Sequence, residues 1–62
     1  MRQGTSVSAA RILVVEDEAS IADVVARYLR RDGHEVETIG DGAKAMERLQ
    51  EMNPDLIVLD LM

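Results

Sequence analysis

Two short apolar runs, each followed at once by acidic residues, constrain this chain more than any other feature. The first run, Ile12 to Val15, leads directly into an acidic triplet at positions 16–18. The second, Leu56 to Leu59, leads into Asp60. Unbroken apolar runs of this length, rich in Val, Ile and Leu, are typical of strands that are covered on both faces, as in parallel sheets. The sequence therefore predicts two central strands that carry carboxylates at their carboxyl ends.

Length and composition exclude several other kinds of protein. The chain has 62 residues, a net charge of −5, no cysteine and a single aromatic residue, Tyr28. The absence of cysteine excludes disulfides and thiolate metal sites, and the net negative charge argues against nucleic-acid binding by this segment itself. No apolar run approaches the length of a membrane span, and the N-terminus lacks the apolar stretch of a secretory signal. We therefore expect a cytoplasmic protein with an aliphatic core.

Helical periodicity follows the first run. Apolar side chains recur at i, i+3, i+4, i+7 and i+8, on one predicted stripe: Ile21, Val24, Val25, Tyr28 and Leu29. The start of this helix can be capped in two ways, by a Ser20–Asp23 capping box or by Asp17. Gly33 is expected to end it.

The middle of the chain predicts a second strand and a second helix. His34 to Ile39 alternates between polar and β-forming residues, which is typical of an edge strand with one wet face. Asp41 can cap a helix whose apolar side chains are Ala45, Met46, Leu49 and Met52. Asn53 and Pro54 should end that helix and return the chain to the sheet.

These elements combine into an α/β fold with the order β-α-β-α-β. Parallel strands joined by right-handed crossovers, with both apolar runs buried, give a doubly wound parallel sheet of strand order 2-1-3. The helices then lie on opposite faces, and a crevice forms where the chain reverses direction at the carboxyl ends of strands one and three. Glu16, Asp17 and Asp60 should meet there. Residues 1–10 contain too little apolar surface to order themselves and predict a flexible N-terminal extension.

Three carboxylates at one place repel one another unless a cation lies between them. Mg²⁺ suits such a site because it takes oxygen ligands and is commonly held by one or two carboxylates together with a phosphate oxygen. A phosphate ligand in turn indicates phosphoryl chemistry, in which Asp60 could attack phosphorus and form an aspartyl phosphate.

At this point the residues resemble a known family, the receiver domains of two-component response regulators. The resemblance runs from Arg11 to Met62 and rests on Ile-Leu-Val-Val-Glu-Asp-Glu, on Asp41-Gly42, and on Pro-Asp-Leu-Ile-Val-Leu-Asp-Leu-Met at positions 54–62. It implies a flavodoxin-like fold, of which residues 11–62 are the N-terminal half. The glutamate at position 16, where many receivers have aspartate, is similar to the subgroup that carries winged-helix DNA-binding domains.

The resemblance also implies roles for individual residues. Asp60 would accept a phosphoryl group from a sensor histidine kinase and Asp17 would bind Mg²⁺ directly, with Glu16 as the second member of the acidic pair. The main-chain carbonyl of Met62 would be a further ligand. The intact domain would be a regulator with limited self-catalysed phosphotransfer rather than an enzyme, and its output domain would regulate transcription. Because a receiver is about twice this length, its switch Thr or Ser, its Lys and its switch aromatic would lie beyond Met62, so we expect the 62-residue chain alone to be inactive.

Three other interpretations of function compete with this one. A Mg²⁺-dependent phosphatase of the haloacid-dehalogenase type also uses an Asp nucleophile, but it has a second Asp two residues further on, where this chain has Met62. A nucleotide-binding domain would need Gly, Ser and Thr after strand one, where this chain is acidic. A non-catalytic interaction fragment is the remaining alternative.

Two expectations concern contacts with other chains. Ala19, Ala22 and Ala26 lie on the side of helix one away from the apolar stripe. They either simply favour helix formation, as alanine does, or form a track along which a kinase helix docks, and the docking track is the functional expectation. The outer edge of strand three is strongly apolar, so self-association through that edge is also expected.

Overall fold

The computed structural model describes residues 9–60, with side chains up to Leu59, and has the predicted order of elements. The five elements are β1 (Arg11–Glu16), α1 (Ala19–Arg31), β2 (Glu35–Ile39), α2 (Gly42–Met52) and β3 (Leu56–Asp60). Within the described part of the chain, no helix combines the length and the apolar character needed to cross a membrane.

The three strands form one parallel sheet in the order β2-β1-β3, as the sequence predicted. Arg11 pairs with Glu35 at the start of the β1–β2 ladder, and Ile12 pairs with Leu56 at the start of the β1–β3 ladder. The central strand is therefore the first one. Its side chains from Ile12 to Glu16 are all buried, which explains why the run from Ile12 to Val15 is apolar without interruption.

The two faces of the sheet are covered by different helices. On one face Leu13, Val15 and Met52 form a buried cluster, against which three further side chains of β2 and α2 pack: Ile39, Ala45 and Leu49. Because side chains alternate along a strand, Ile12 and Val14 point to the opposite face, where α1 contacts β1 and β2. The doubly wound arrangement predicted from crossover handedness is thus confirmed.

The orientation of α1 about its own axis differs from the prediction. Its buried residues are Ala22 and Ala26, which are 6% and 1% exposed, whereas Ile21, Val24 and Tyr28 of the predicted core stripe are 45%, 50% and 63% exposed. Of the predicted stripe, only Val25 and Leu29 are partly buried. They lie on the same side of the helix as Ala22 and Ala26, because positions 22, 25, 26 and 29 follow the i, i+3, i+4, i+7 spacing.

This orientation contradicts the expectation that Ala19, Ala22 and Ala26 form an accessible docking track. Ala22 and Ala26 face the sheet, and only Ala19 is exposed. Helix α1 has a wide apolar arc, and its small residues allow the backbone of the helix to approach β1 and β2 closely. Periodicity identifies such an arc, but it does not determine which side of the arc packs on the sheet.

The helix ends follow the turn chemistry of their sequences. Gly33 has a φ of 94°, and two hydrogen bonds close α1 there, from Gly33 N to the Arg30 carbonyl (2.9 Å) and from His34 N to the Leu29 carbonyl (3.2 Å). This pair of bonds is the Schellman motif, which needs a left-handed residue and explains the glycine. Helix α2 begins as predicted, with Asp41 Oδ1 accepting from Ala43 N at 2.9 Å, and ends at a left-handed Asn53.

The predicted extension and β1 meet at Ala10. Ala10 N donates to His34 Nδ1 (3.1 Å), and its carbonyl accepts from Glu35 N (2.9 Å), so Ala10 is already joined to the start of β2. Residues 1–8 lie outside the described residues, and the flexibility expected of them stays a prediction.

Candidate functional site

The carboxyl edge of the sheet brings together the ends of the two apolar runs. Glu16 and Asp60 are the last residues of β1 and β3, and they are partners in the parallel register between these adjacent strands. Asp17 follows Glu16 directly. The backbone therefore has the arrangement that the sequence predicted, with acids from two neighbouring strands at one edge of the sheet.

Glu16 is the buried member of this group. It is 3% exposed, and its Oε2 accepts a hydrogen bond of 2.9 Å from the backbone N–H of Glu18, the residue just before α1. A charged side chain in such a position is stabilised by donors that are held rigidly by the backbone. Glu16 thus joins the end of β1 to the start of α1, a structural role in addition to the predicted one.

The start of α1 uses neither of the two predicted caps. The helix begins at Ala19 with Glu18 at the N-cap position, and the Glu18 side chain makes no capping hydrogen bond to the backbone. Ser20 Oγ donates instead to Glu18 Oε2 at 3.4 Å. Asp17 is therefore not occupied as a helix cap. It lies exposed in the bend between β1 and α1, where its carboxylate is accessible to a ligand.

The donor chemistry of these residues fits a hard cation. Glu16 and Asp17 offer carboxylate oxygens, which Mg²⁺ prefers, at an edge that is open to solvent on the Asp17 side. Among the side chains that the structure describes, no three potential metal ligands come together. The predicted third carboxylate and the predicted carbonyl ligand, those of Asp60 and Met62, lie outside the described atoms.

At the amino ends of β1 and β3, hydrogen bonds join the two strands. Asp55 Oδ2 accepts from Arg11 N at 2.8 Å, and Asp55 N donates to the Arg11 carbonyl at 2.7 Å. Asp55 therefore anchors β3 to β1 at the end away from Glu16 and Asp60.

An ion pair that the sequence did not indicate fixes α2 on β2. Arg48 binds Glu37 through two hydrogen bonds, from Nε to Oε2 and from Nη2 to Oε1 (2.8 Å), and also donates to Glu51 at 2.9 Å. The hydrogen bond and charge of Arg48 hold the pKa of Glu37 below its ordinary value. The same bonds raise the pKa of Arg48 above its usual range. The two residues are eleven positions apart, so only the packing of α2 on the sheet joins them.

Comparison with known proteins agrees with the geometry. Residues 12–62 match the family described as the response regulator receiver domain. The "DNA-binding response regulator MtrA" of Mycolicibacterium paratuberculosis (strain ATCC BAA-968 / K-10) is 48% identical over 52 residues, which cover 84% of this chain and 23% of that protein. The "Sensory transduction protein RegX3" of Mycolicibacterium smegmatis (strain ATCC 700084 / mc(2)155) is 43% identical over 51 residues, which cover 82% and 22% of the two chains.

A third relative extends the match towards the N-terminus. The "Transcriptional regulatory protein PrrA" of Mycobacterium leprae (strain TN) is 46% identical over 57 residues, which cover 92% of this chain and 24% of that protein. The fold and these matches define a parallel α/β domain of the kind found in response regulators. The chain belongs to the response regulator receiver domain family. It spans about a quarter of the length of the relatives it matches.

Proposed function

We propose that this segment is the phosphoacceptor half of a receiver domain and that Asp60 is the residue that accepts the phosphoryl group. The observation that carries the proposal is the register of the sheet, in which Asp60 ends the strand next to the one that ends in Glu16. Neighbouring parallel strands end at the same edge, which is where open α/β sheets bind their ligands. Asp17, exposed beside Glu16, is the accessible carboxylate on the β1 side.

The proposed step is transfer from a phosphohistidine to a carboxylate. A carboxylate oxygen of Asp60 forms a bond to phosphorus while the phosphorus–nitrogen bond of the donor breaks, and the imidazole nitrogen leaves with the electron pair of that bond. Asp17, Glu16, Asp60 and the carbonyl of Met62 would hold Mg²⁺. When bound, the ion supplies positive charge that reduces repulsion between the attacking carboxylate and the phosphoryl oxygens.

Phosphorylation of the regulator that contains this segment tests the assignment of Asp60. With a small-molecule phosphodonor and Mg²⁺, Asp60→Asn should remove the acid-stable, base-labile phosphoryl group that an aspartyl phosphate would add. The matched control is Asp55→Asn, which lies just before the amino end of the same strand and keeps an oxygen acceptor for Arg11 N. Normal labelling of Asp60→Asn, or equal loss in both variants, would contradict the proposal.

Mg²⁺ binding can be tested without phosphorylation. A ligand that binds only the folded state stabilises it by an amount that grows with the logarithm of concentration, about 2.7 kcal/mol at 100 times the dissociation constant. Thermal melts in Mg²⁺ and in chelator should therefore differ, and Asp17→Asn should remove most of the difference. Asp23→Asn, on the exposed side of α1, is the control. Identical melts with and without Mg²⁺ would exclude the metal site while leaving the fold intact.

The proposal extends to partners that membership of the family does not by itself identify. We propose a sensor histidine kinase as the phosphodonor and a winged-helix DNA-binding output domain as the element that is controlled, both acting in the cytoplasm. Support comes from the relatives themselves, one of which is named a DNA-binding response regulator and another a transcriptional regulatory protein. Any contact with DNA would come through that output domain, because the segment itself carries a net charge of −5.

The kinase contact is proposed for the exposed stripe of α1, Ile21, Val24 and Tyr28, in place of the alanine track. These side chains are about half exposed, and Ile21 lies in the first turn of the helix, next to the bend that holds Asp17. A surface depression of about 520 Å³ lies beside the stripe and is lined, among the described residues, by Val24, Arg27, Tyr28 and Arg31. Tyr28→Ala should slow transfer from the cognate kinase but not from a small-molecule donor, with Lys44→Ala on α2 as control.

The outer edge of β3 is proposed as a site of self-association for the 62-residue chain. Leu56, Ile57 and Leu59 are 52%, 39% and 66% exposed, and in the described part of the chain β3 pairs only with β1. An apolar edge strand of this kind recruits a further strand. Sedimentation should show association that increases with concentration, and a concentration-independent monomer would contradict this proposal.

A further inference from the structure

His34 connects three elements at the amino end of the sheet. Its backbone N–H closes the C-terminus of α1 on the Leu29 carbonyl (3.2 Å), and the next residue begins β2. Its side chain accepts, through Nδ1, a 3.1 Å hydrogen bond from the backbone N–H of Ala10, just before β1. This side-chain bond, which we call the His34 latch, exists only while Nδ1 carries a lone pair, so the proton of the neutral ring lies on Nε2.

The charged groups around the latch come from three elements. A depression of about 310 Å³ beside His34 is lined by Arg30 of α1, by Arg11 of β1, by Glu35, Val36 and Glu37 of β2, and by the uncharged Met52 of α2. Both carboxylates already interact with arginines, Glu35 with Arg11 at 3.5 Å and Glu37 with Arg48. A charged imidazole would therefore lie among groups whose negative charge is already partly neutralised.

We infer that the His34 latch is a proton-sensitive joint that fastens the start of β1 to the α1–β2 connection while the imidazole is neutral and releases it when Nδ1 is protonated. Protonation of Nδ1 turns the acceptor into a donor that faces another donor, the Ala10 N–H. The bond then breaks.

One interaction attracts the protonated ring towards the end of α1 and so acts against its release. His34 lies next to the C-terminus of α1, and a cation near a helix C-terminus is favoured by the helix dipole. That attraction can stabilise the imidazolium after the latch has opened, but it cannot restore the hydrogen bond to Ala10, because the protonated ring has no acceptor. The expected effect is therefore local, at the beginning of β1, with little change in the centre of the sheet.

Amide hydrogen exchange, measured by NMR on the 62-residue chain at about pH 8 and about pH 5.5, tests the latch. Each rate is corrected for the intrinsic pH dependence of exchange. Protection of the Ala10 amide should fall about five-fold in acid, the scale set by one neutral hydrogen bond. Protection of Val14, in the middle of β1, should stay constant and serves as the internal control.

Two variants separate the latch from general acid effects. His34→Ala should leave Ala10 weakly protected at both pH values. His34→Asn keeps an oxygen acceptor near the position of Nδ1 and cannot titrate, so it should remove the pH dependence. Three results would overturn the inference: protection of Ala10 that does not change with pH in the wild type, an equal loss at Val14, or the wild-type pH dependence in His34→Asn.

Discussion

The two outer strands of the sheet differ in how they are covered. Strand β2 contacts both helices, receives a hydrogen bond of 3.0 Å from Arg30 to the Val36 carbonyl, and is fixed to α2 by the pair of Glu37 and Arg48. Strand β3 is anchored to β1 at Asp55 and has apolar side chains that are largely exposed, most of all Leu59. One edge is therefore polar and protected, while the other is apolar and accessible.

This difference follows from where the two helices lie on the sheet. Helix α1 contacts both of the strands that it joins, whereas α2, which joins β2 to β3, contacts β2 and β1 but not β3 among residues 9–60. The groove between α2 and β3, about 130 Å³ and lined by apolar residues such as Leu49 and Ile57, is a consequence. Apolar sequence thus predicts burial only where another element is available to provide it.

The largest effect is expected on the covered side, where α1 meets the sheet. Ala26→Gln inserts a long polar side chain at a position that is 1% exposed, and overpacking together with polar burial should lower the free energy of unfolding by about 3 kcal/mol. Val24→Gln, at a half-exposed position two residues earlier, should change stability by less than about 0.5 kcal/mol. Denaturant unfolding of both variants measures the difference, and a larger loss for Val24→Gln than for Ala26→Gln would mean that α1 is rotated as the apolar stripe alone suggested.

The second effect concerns the outer edge of β3. Leu59→Lys puts a charge on the apolar edge strand and should weaken self-association about ten-fold, because charged side chains, lysine above all, block edge-to-edge pairing. Thr38→Lys makes the same change on β2, which both helices already cover, and should leave association unchanged. Sedimentation over a range of concentrations measures both. If Thr38→Lys weakened association as strongly as Leu59→Lys, association would not depend specifically on the outer edge of β3.

The third effect tests how β3 is held. Asp55→Ala removes the acceptor for Arg11 N and should destabilise the chain by about 1 kcal/mol, as expected for one hydrogen bond. Asp55→Asn keeps an oxygen in the same place and should retain most of the stability. Chemical denaturation distinguishes the two variants, and equal stability of both would show that β3 does not depend on this anchor.

The smallest effect is expected at the pair of Glu37 and Arg48, which is partly exposed and therefore screened by solvent. Because the pKa of Glu37 is lowered in the folded state, the pair stabilises the fold at pH values above the ordinary value of 4.5. That contribution is lost as the pH falls through the lowered folded value. The Arg48→Ala variant should therefore be slightly less stable than the wild type at neutral pH and equally stable in strong acid. Thermal melts over a range of pH measure this difference. A difference that persists in acid would assign the effect to packing instead of charge.

The candidate site shows how far local patterns extend. The two acid-terminated runs predicted that Glu16 and Asp60 would come from neighbouring parallel strands, and the register between β1 and β3 confirms it. The hydrogen bond from Glu18 N to Glu16 was not predicted, because it depends on the path of the bend between β1 and α1. The same limit applies to the start of α1, where the two predicted caps, Asp17 and Ser20, are both unused.

Sequence alone determined the features that depend on neighbouring residues or on the solvent exposure of a whole strand. The strands, the Schellman turn at Gly33, the cap at Asp41 and the strand order all follow from backbone preferences, burial patterns and the handedness of crossovers. Tertiary structure decided which side of α1 is buried, and it brought Arg48 to Glu37 and His34 to Ala10. Those contacts depend on the distance between packed elements, because a periodic pattern specifies an apolar arc but does not specify the surface against which the arc will pack.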